Sequence, residues 1–560
     1  MDSDIVERAA GVAIDWGEGM TTIEREFGGM WRNEHRSLMK FYRREAAIVE
    51  EGGADVVAVM RRRRTVLGAL IADEAAKDRE LCVTGSGWSQ SDLYHNLSTH
   101  LKTDRDEGIW ELPEEAFLPG VEGRHRYLLV TGGTKIHRLM EHLHEAGRDL
   151  SLRTAGSHKG QSLAGLVGTG SHGSTMAESG AETHVRGMVL STGREEAVWL
   201  ADPEKPVLRE EWVAQFASAG DPAYFASARV HLGGMGFVSA YLIEAVDEFY
   251  CGLVKRVRVL PSDWYDRIAT GDFAGAMGDV ASGRTPHYYE LTFDPFGGEA
   301  QEVCETIWLD IDSAGKRHDL GRQVEHHTLD AIAKVGAKGL HEVPQSELVT
   351  DNPLPAEDFE GRIRDLIDVP ERILEDFREN AVCDDADVPR TLSQLTAVWK
   401  PHVLMGFRVD VYNAAFAVPR ERLAEVMRIA RTMACGENSI RQFSKDFVYT
   451  VRFAKKSEAG MGFLRFEDNA IINIDGLPAN FLLGSDAPAA AVHLQHLLEK
   501  AGVPFAMHWG KDAQMNAAAI RRQYGDAAVE AYRGARKAIL GASAKAFVSP
   551  ALEHWGLQSD

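Results

Sequence analysis

Residues 156–174 read GSHKGQSLAGLVGTGSHGS, a stretch in which glycine alternates with hydroxyl-bearing and small apolar residues. Glycine has no Cβ, so its backbone can approach a ligand closely and can adopt positive φ. Successive backbone N–H groups in such turns hold phosphate oxygens. The stretch therefore predicts a loop that binds a phosphate-bearing ligand through its backbone.

Two further glycine-rich turns lie outside this stretch. Residues 85–93 read GSGWSQSDL, and residues 233–236 read GGMG. Each is placed between predicted strands, so a shared ligand explains the three turns better than three unrelated structural loops do. A dinucleotide pyrophosphate could be held there without a cationic clamp. The hydroxyl groups expected to add neutral donors belong to Ser86, Ser89, Ser91, Ser157, Ser162, Thr169 and Ser174.

A Rossmann fingerprint is the alternative interpretation of the same glycines. Residues 168–173 fit the G-x-G-x-x-G pattern. That fingerprint needs a strand before it, a helix after it and an acidic residue about twenty positions later. Here residues 161–167 indicate helix or coil, and 176–181 are not strongly helical. The pattern therefore does not predict a Rossmann domain.

The first half of the chain predicts mixed helices and strands. Residues before about 51 are expected to be helical and polar, including a segment from 31 to 42, and residues 54–76 predict one long helix. A shorter helix is predicted from 136 to 143, where apolar residues recur at helical spacing. The predicted strands are 81–84, 127–131, 185–191, 197–200 and 238–246.

The second half predicts a different unit, an antiparallel sheet with helices on one face. A helix is expected from 419 to 434, and the predicted strands are 288–293, 305–311, 403–411, 447–453 and 470–474. The predicted fold class is α+β. The expected division is an N-terminal helical extension (1–50), a ligand-binding domain (51–255), a cap domain (256–500) and a C-terminal segment that returns to the binding domain and the site (501–560).

Composition narrows the class of protein. The chain has 560 residues, more than one compact core holds, so at least two domains are expected. A formal net charge of −22 disfavours nucleic acid as a partner. The absence of an apolar run of about eighteen residues predicts no membrane span, and the charged N-terminus favours a cytoplasmic location. The five cysteines lack the close spacing of zinc sites, so no metal is predicted.

The order of the glycine-rich motifs resembles the vanillyl-alcohol oxidase (p-cresol methylhydroxylase) family of FAD-dependent oxidoreductases, and in particular its alditol and aldonolactone oxidase branch. Residues 85–93 resemble its first pyrophosphate loop, and 130–139 its following strand and helix. Residues 161–174 resemble its most specific element, "Q-(ST)-(ILV)-A-G-x-(ILV)-x-T-G-(ST)-H-G". Residues 232–238 resemble "L-G-x-(LM)-G-(FV)-(ILV)", and 508–511 match "H-W-G-K". The resemblance covers roughly 50–250 and 445–555.

The resemblance implies a PCMH-type FAD-binding domain with two subdomains and a separate substrate-binding cap. It also implies which residues contact the cofactor. The implied FAD-binding residues are Gly85, Ser86, Gly87, Trp88, Ser89, Gln90, Ser157, Gln161, Ser162, Gly165, Thr169, Gly170, His172, Gly173, Ser174, Gly236 and Val238.

Two positions depart from the family pattern. Members with covalent FAD attach it through a histidine of the first loop, where this chain has Trp88, and no cysteine stands in the second loop. We therefore predict non-covalent FAD. Polyol and aldonolactone oxidases carry Glu-x-Arg on a cap strand. Arg452 matches the arginine, but Thr450 stands in place of the glutamate, which argues against a sugar-like substrate.

The resemblance also implies a reaction, in which a hydride passes from a substrate C–H bond to flavin N5 while a base takes the adjoining proton. Lys511 is expected to support negative charge at flavin N1 and the C2 carbonyl. Arg452 is expected to orient the substrate or to support the same charge, with Thr450 beside it. His508 is the candidate base, because an ordinary histidine pKa of about 6.5 suits that role.

Three functions remain open at this point. The first is an oxidase or dehydrogenase acting on an alcohol, an amine or a related group of a small molecule, with O₂ or another acceptor reoxidising the flavin. The second is a natural-product tailoring enzyme that drives cyclisation or desaturation, which the Thr450 replacement and the N-terminal extension favour. The third is a non-catalytic FAD-binding protein, against which the intact His508–Lys511 motif and Arg452 argue.

Overall fold

Three main sheets and the helices between them make up most of the described part of the chain. The computed structural model describes residues 21–32, 39–50, 55–91, 93, 99–145, 147–156, 158–193, 196–298, 301–311, 368–380, 384–396, 402–404, 407–409, 411–435, 443–477, 486–512 and 515–558. The predicted α+β class is confirmed, since helices and mostly antiparallel sheets alternate along these residues.

The first sheet has four strands. Their spatial order is Thr21–Arg32, Met39–Glu50, Thr99–Arg105 and Leu81–Thr84. The first pair is antiparallel and the other two pairings are parallel. The prediction of an N-terminal helical extension over 1–50 is therefore wrong for 21–32 and 39–50. Gly28 and Gly29 disfavour a helix by about 1 kcal/mol each, and Ala46 and Ile48 are buried at the alternating spacing of a strand.

The second sheet has six strands. Their spatial order is Ser218–Ala219, Glu196–Ala201, Val185–Gly193, Phe237–Glu244, Tyr127–Val130 and Ile109–Glu111. The long helix Val56–Ala76 begins at Asp55, whose side chain accepts a hydrogen bond from Val57 N (2.9 Å). This helix contacts strands of both sheets and so joins them into one unit.

The third sheet has seven strands, all paired antiparallel. Their spatial order is Tyr250–Val259, Glu302–Ile311, Pro286–Phe293, Phe447–Lys455, Asp468–Gly476, Tyr412–Pro419 and Ala506–Met507. The predicted strand at 403–411 is misplaced. His402–Leu404 and Phe407–Val409 form a separate hairpin, and the sheet strand follows at Tyr412–Pro419. Three alanines lower the β-propensity of that strand, but burial on both faces overrides it.

Helices cover one face of the seven-stranded sheet. Tyr449 projects from the sheet to this side and donates its hydroxyl proton to Ala430 O (3.0 Å), which lies in one of these helices. Among the described residues, no helix is both long and apolar enough to cross a membrane. The α-helices after the first are Ile136–Leu143, Leu163–Gly168, Glu210–Val213, Phe225–Arg229, Trp264–Thr270, Phe273–Met277, Val369–Glu379, Leu392–Leu395, Leu423–Cys435, Ala487–Ala501, Ala517–Tyr524, Asp526–Leu540 and Pro550–His554.

The C-terminal segment contacts the seven-stranded sheet and also a helix outside it, Phe225–Arg229. Ala506–Met507 adds the last strand to the seven-stranded sheet. The helix Asp526–Leu540 then packs on Phe225–Arg229, and Tyr532 donates a hydrogen bond to His231 O (2.7 Å). Because the C-terminal segment contacts both the seven-stranded sheet and the helix Phe225–Arg229, its turn at 508–511 lies where the glycine-rich turns meet that sheet.

Candidate active site

A cleft lies between the glycine-rich turns and the seven-stranded sheet. The turn at 508–511 closes one end of it, where Gln90 N donates to Gly510 O (2.9 Å). Most of the residues predicted to bind a cofactor or to act in catalysis line this cleft. They are Gly85, Ser86, Gly87, Trp88, Ser89, Gln90, Gln161, Ser162, Gly165, Thr169, His172, Gly236, Val238, Arg452, His508 and Lys511.

The backbone itself forms the walls of the cleft on the side of the turns. Gly87 and Gly236 have φ values of 71° and 102°, which side-chain-bearing residues rarely adopt. At Gly132 an added Cβ would lie only 2.8 Å from Val238 O. Backbone conformation at Gly87 and Gly236 and close packing at Gly132 disfavour side chains, so the backbone itself lines this part of the cleft. Such a wall fits the pyrophosphate of FAD, which successive N–H groups can hold.

The first turn is fixed to the opposite wall by one side chain. Gln90 Nε2 donates to Val411 O (2.9 Å), and Gln90 Oε1 accepts from Asn413 N (3.0 Å). Trp88, on the same turn, lies against His158 with ring centroids 3.9 Å apart. These contacts hold the first and second turns in a fixed position relative to the sheet.

The sheet presents a buried polar face to the cleft. This polar face consists of residues paired directly across neighbouring strands, so that their side chains point to the same side. The pairs are Glu290 with Arg452, Thr450 with Asn473, and Asn413 with Asp475. Asn413 Nδ2 donates to Asp475 Oδ1. The alternating residues of the same strands are apolar and face the covering helices.

A buried ion pair lies on the polar face. Arg452 Nε lies 2.6 Å from Glu290 Oε2, and both side chains are about 95% buried (4% and 5% exposed). Tyr288 also donates to Glu290 Oε2 (2.8 Å). Loss of solvent opposes the charge of Arg452, but the Glu290 carboxylate favours it, and the pKa of Arg452 is raised. Arg452 is therefore a fixed cation at the cleft.

Lys511 supplies a second cation from the C-terminal turn. Its Nζ donates to Asn473 Oδ1 (2.6 Å), and the side chain is half-buried. Burial lowers the pKa of Lys511 to about 7, with Arg452 adding to the decrease and Asp475 and Glu290 opposing it. A lysine with this pKa can change its charge in the neutral pH range.

Two buried histidines lie beside these cations, with ring centroids 5.6 Å apart. Burial and Lys511 hold the pKa values of His172 and His508 well below the usual range, so both are neutral. His508 Nδ1 accepts from Gly510 N (3.0 Å), which places its proton on Nε2. His172 Nδ1 instead donates to Gly173 O (2.9 Å), which leaves Nε2 as an acceptor. The predicted base, His508, thus has the less suitable tautomer.

No protein-family model matches the chain. Two curated proteins named D-arabinono-1,4-lactone oxidase are similar in sequence. The one from Eremothecium gossypii is 27% identical over 181 residues, which are 32% of this chain and 30% of that protein. The one from Kluyveromyces lactis is 25% identical over 171 residues, which are 30% of this chain and 28% of that protein. The match thus spans less than a third of these relatives' length.

Solved structures of cholesterol oxidases are similar over nearly the whole chain. The enzyme from Brevibacterium sterolicum superposes with a TM-score of 0.61 at 12% identity, covering 95% of this chain and 97% of that chain. A solvent-stable cholesterol oxidase gives a TM-score of 0.60 at 12% identity, with 95% and 98% covered. The chain therefore has the fold of these cholesterol oxidases. The resemblance predicted from the motifs is confirmed.

Some residues predicted from the family pattern do not line the cleft. Gly173 packs against its own turn, since a Cβ there would lie 2.4 Å from Ala155 O. Ser174 links its own turn to the seven-stranded sheet, donating to Tyr289 O and accepting from Phe453 N (2.9 Å). Gly170 turns the chain at a φ of 64°. Thr450 lies on the polar face behind the cleft lining. Ser157 lies outside the described residues.

Several residues of the cleft were not predicted. Asn413 on the polar face lines the cleft, whereas Glu290 and Asn473 contact the lining residues Arg452 and Lys511 from behind, and one signal could have found some of them. Asn473 and Asp475 alternate with Ile472 and Ile474 in a strand buried on both faces, where polar residues need a function or a partner. The remaining lining residues were not predicted individually, although most of them lie within the predicted motifs. They are Val83, Leu93, Thr103, Gly132, Gly133, Gly156, His158, Ala164, Gly168, Ser171, His231, Leu232, Gly233, Phe237, Val411 and Gly510.

Proposed function

We propose that this chain is an FAD-dependent oxidase that removes a hydride from a hydroxyl-bearing carbon of a small molecule, with O₂ as the favoured acceptor. One observation carries the proposal. A single cleft combines a wall of glycine backbone, suited to a dinucleotide, with the buried Arg452 and the half-buried Lys511. The relatives named D-arabinono-1,4-lactone oxidase support an oxidase, because their similarity adds to that of the fold.

The turns on one side would hold FAD. The backbone at Gly85–Gly87 and at Gly165–Thr169, together with the Ser86 and Ser162 side chains, would bind its pyrophosphate. When bound, FAD supplies the hydride acceptor for the reaction. Lys511 and Arg452 lie on the other side and would stabilise negative charge that develops during hydride transfer. Preorganised charges act strongly in a buried site because water does not screen them.

The charges of the cleft favour an alcohol over an amine. Arg452 carries a fixed charge, and Lys511 can carry a second one. The carboxylates of the polar face are already engaged, Glu290 by Arg452 and Tyr288 and Asp475 by Asn413. An ammonium substrate would therefore be repelled, whereas a neutral or anionic hydroxyl compound would be accepted. Thr450, at the position of the family's glutamate, leads us to propose a substrate other than a sugar polyol.

The proton of the substrate hydroxyl needs an acceptor, and the two histidines differ as candidates. His172 presents Nε2 as an acceptor, and that atom has no hydrogen-bond partner among the described residues. His508 presents a donor instead and would bind a substrate oxygen. We assign the proton acceptor to His172 and a positioning role to His508.

We further propose that FAD is bound without a covalent link. Trp88 occupies the position of the histidine to which relatives attach the cofactor, and an indole ring does not form that bond. Acid precipitation of the purified protein tests this directly. We expect a yellow supernatant with flavin absorption bands. Colour retained in the pellet would overturn the non-covalent assignment and direct attention to His158, which lies against Trp88.

The same protein preparation tests the oxidase proposal. Anaerobic addition of primary and secondary alcohols, hydroxy acids and amines is followed by the loss of flavin absorbance. We expect bleaching with a hydroxyl compound and none with amines, and recovery of the absorbance on admitting air. A protein that binds FAD but is bleached by none of these compounds would favour a non-catalytic role. A protein that cannot be reconstituted with FAD would overturn the proposal.

A natural-product tailoring enzyme is the second candidate, and Thr450 is the observation that favours it. Such an enzyme would use the same hydride removal to drive cyclisation or desaturation. Its substrate would be larger and less polar than a polyol, so bleaching only by extended apolar alcohols would support this alternative.

A further inference from the structure

Cys251, His287 and Asp310 form a cluster of metal-ligating side chains at the edge of the seven-stranded sheet, away from the cleft. One ligand atom of each residue lies within 4.8 Å of the others. An oxygen of Asp310 is 2.9 Å from His287 Nδ1 and 3.7 Å from Cys251 Sγ. Around a tetrahedral zinc ion the ligand atoms are about 3.5 Å apart, as bond lengths of about 2.0–2.3 Å require. The observed spacings bracket that value.

The strand register brings these residues together. Cys251 on Tyr250–Val259 is paired directly with Asp310 on Glu302–Ile311. His287 lies on the other side of Asp310's strand, where the pairing shifts register between Pro286 and Tyr288. A β-bulge re-aims the side chain at such a shift and often marks a functional position. The bulge accounts for a histidine that reaches across to the Cys251–Asp310 pair.

The surroundings hold the ligands in place. The Phe249 ring stacks on His287, with centroids 4.7 Å apart and planes at 29°. Cys251 exchanges backbone hydrogen bonds with Arg390 in both directions (2.9 and 3.0 Å). Asp310 is 45% exposed, so an ion can enter from solvent and retain a water ligand.

We propose that Cys251, His287 and Asp310 bind one Zn²⁺ ion, with water as the fourth ligand. Thiolate, imidazole and carboxylate are the ligands that zinc prefers in proteins. Binding replaces the proton of the Cys251 thiol, which passes to solvent, and involves no change of oxidation state. Spacing along the sequence could not reveal this site, because each ligand belongs to a different strand and only the sheet brings them together.

The position of the cluster indicates a structural role. Met176 N, just beyond the glycine-rich stretch, donates to His287 O (3.2 Å). Thr175 forms a bridge to Tyr288. A metal ion bound by His287 would therefore stabilise the contact between the end of the glycine-rich stretch and the seven-stranded sheet. It would stabilise the folded protein without taking part in the reaction.

The test titrates the full-length flavoprotein with Zn²⁺ by calorimetry after dialysis against a chelator. We expect one Zn²⁺ per chain and a higher melting temperature, since an ion that binds only the folded state stabilises it. Co²⁺ in place of Zn²⁺ should give a thiolate-to-metal charge-transfer band in a difference spectrum. Asp310→Asn should weaken Zn²⁺ binding by more than about 100-fold, the upper end for loss of a mere outer-shell partner.

Two cysteine variants make the test specific. Cys251→Ser should abolish the Co²⁺ charge-transfer band. Cys435→Ser, which changes an exposed thiol, should leave both the band and the affinity unaltered. If Cys251→Ser does not fold, Asp310→Asn still tests the proposal. The Asp310 side chain is partly exposed, so its replacement should not prevent folding. Absence of stoichiometric Zn²⁺ binding, or equal affinity in wild type and Asp310→Asn, would overturn the proposal. FAD content and bleaching, measured in parallel, test the proposed oxidase independently.

Discussion

The two walls of the cleft differ in the chemical groups that they present to a ligand. The wall formed by the glycine-rich turns presents backbone groups and neutral hydroxyls, and a side chain at Gly132 would collide with Val238 O at 2.8 Å. The wall formed by the seven-stranded sheet presents charged side chains, among them Arg452, whose Nε lies 2.6 Å from Glu290 Oε2. The first wall suits a large ligand that is bound and retained. The second suits a small region in which charge changes during a reaction.

This difference leads to separable effects of mutation. A change in the glycine wall should weaken cofactor binding and leave the reactivity of the bound flavin alone. A change in the charged wall should slow flavin reduction and leave cofactor binding alone. Each variant is therefore measured twice, once for FAD affinity and once for the rate of anaerobic reduction by the substrate found in the screen.

Lys511→Met should have the largest effect. Methionine keeps the length of the side chain but removes the charge next to Asn473, where Lys511 Nζ now donates at 2.6 Å. Removing one preorganised donor to a developing negative charge costs about 100- to 1000-fold in rate. We expect that loss in the stopped-flow rate of flavin reduction, with FAD affinity unchanged.

Lys455→Met is the matched control for this variant. Lys455 is on the same strand as Arg452 but is 47% exposed and paired with Asp468 at the surface. Its removal should leave the reduction rate within twofold of wild type, since exposed pairs contribute less than about 1 kcal/mol. Equal slowing by both variants, or loss of FAD from Lys511→Met alone, would contradict the division between the two walls.

Gly132→Ala should have a smaller effect, and it should lower FAD affinity rather than the rate of flavin reduction. The new methyl group would press on Val238 O at 2.8 Å and on the Ala164 methyl at 3.1 Å, so the turn must move. Overpacking of this kind costs about 1–3 kcal/mol, which corresponds to a loss of roughly 5- to 150-fold in FAD affinity. The reduction rate of the flavin that remains bound should be unchanged. Fluorescence titration of the FAD-free protein measures the affinity.

Gly534→Ala is the control for the glycine wall. Gly534 lies in the helix Asp526–Leu540, and an added Cβ would meet nothing within 4 Å. We expect unchanged FAD affinity and a stability equal to or slightly above wild type, because alanine is the better helix former. A Gly132→Ala protein with normal affinity and slow reduction would show that the turns act on the reaction as well.

The two walls also differ in how far the sequence reveals them. The glycine wall is formed by stretches that are each contiguous in sequence, so its loops could be identified from the residue pattern of 85–93 and 156–174. The charged wall is assembled from strands far apart in the chain. Arg452 and Lys511 were identified because they lie in short motifs, whereas Glu290 and Asn473 depend on strand register, which a single sequence does not define.

The fold was predicted to a similar extent and for similar reasons. Strands with a strong apolar pattern, such as Tyr127–Val130, were placed to within a residue. The strand Tyr412–Pro419 was missed because its alanines carry little β signal, and 21–32 and 39–50 were assigned the wrong element because their apolar residues fit two periods. The tautomers of His172 and His508 depend on which backbone group lies next to each ring, which no local pattern specifies.

The pH dependence of flavin reduction gives the smallest effect and the sharpest test of the charged wall. Burial lowers the pKa of Lys511 to about 7. Its ammonium form is therefore present below pH 7 and is lost as the pH rises through that value. If this charge stabilises the reaction, the rate should fall about tenfold from pH 6 to pH 8, because the protonated fraction falls by that factor.

Lys511→Arg separates this charge from every other titrating group of the cleft. A guanidinium stays protonated throughout the range, so its pH profile should be flat between 6 and 8, even if its larger head lowers the absolute rate. A wild-type rate that rises through pH 7 would mean that the neutral amine is the active form. Lys511 would then be the proton acceptor, and the acceptor role assigned to His172 would be wrong. The same decrease with pH in wild type and Lys511→Arg would place the titration elsewhere and leave Lys511 a purely structural partner of Asn473.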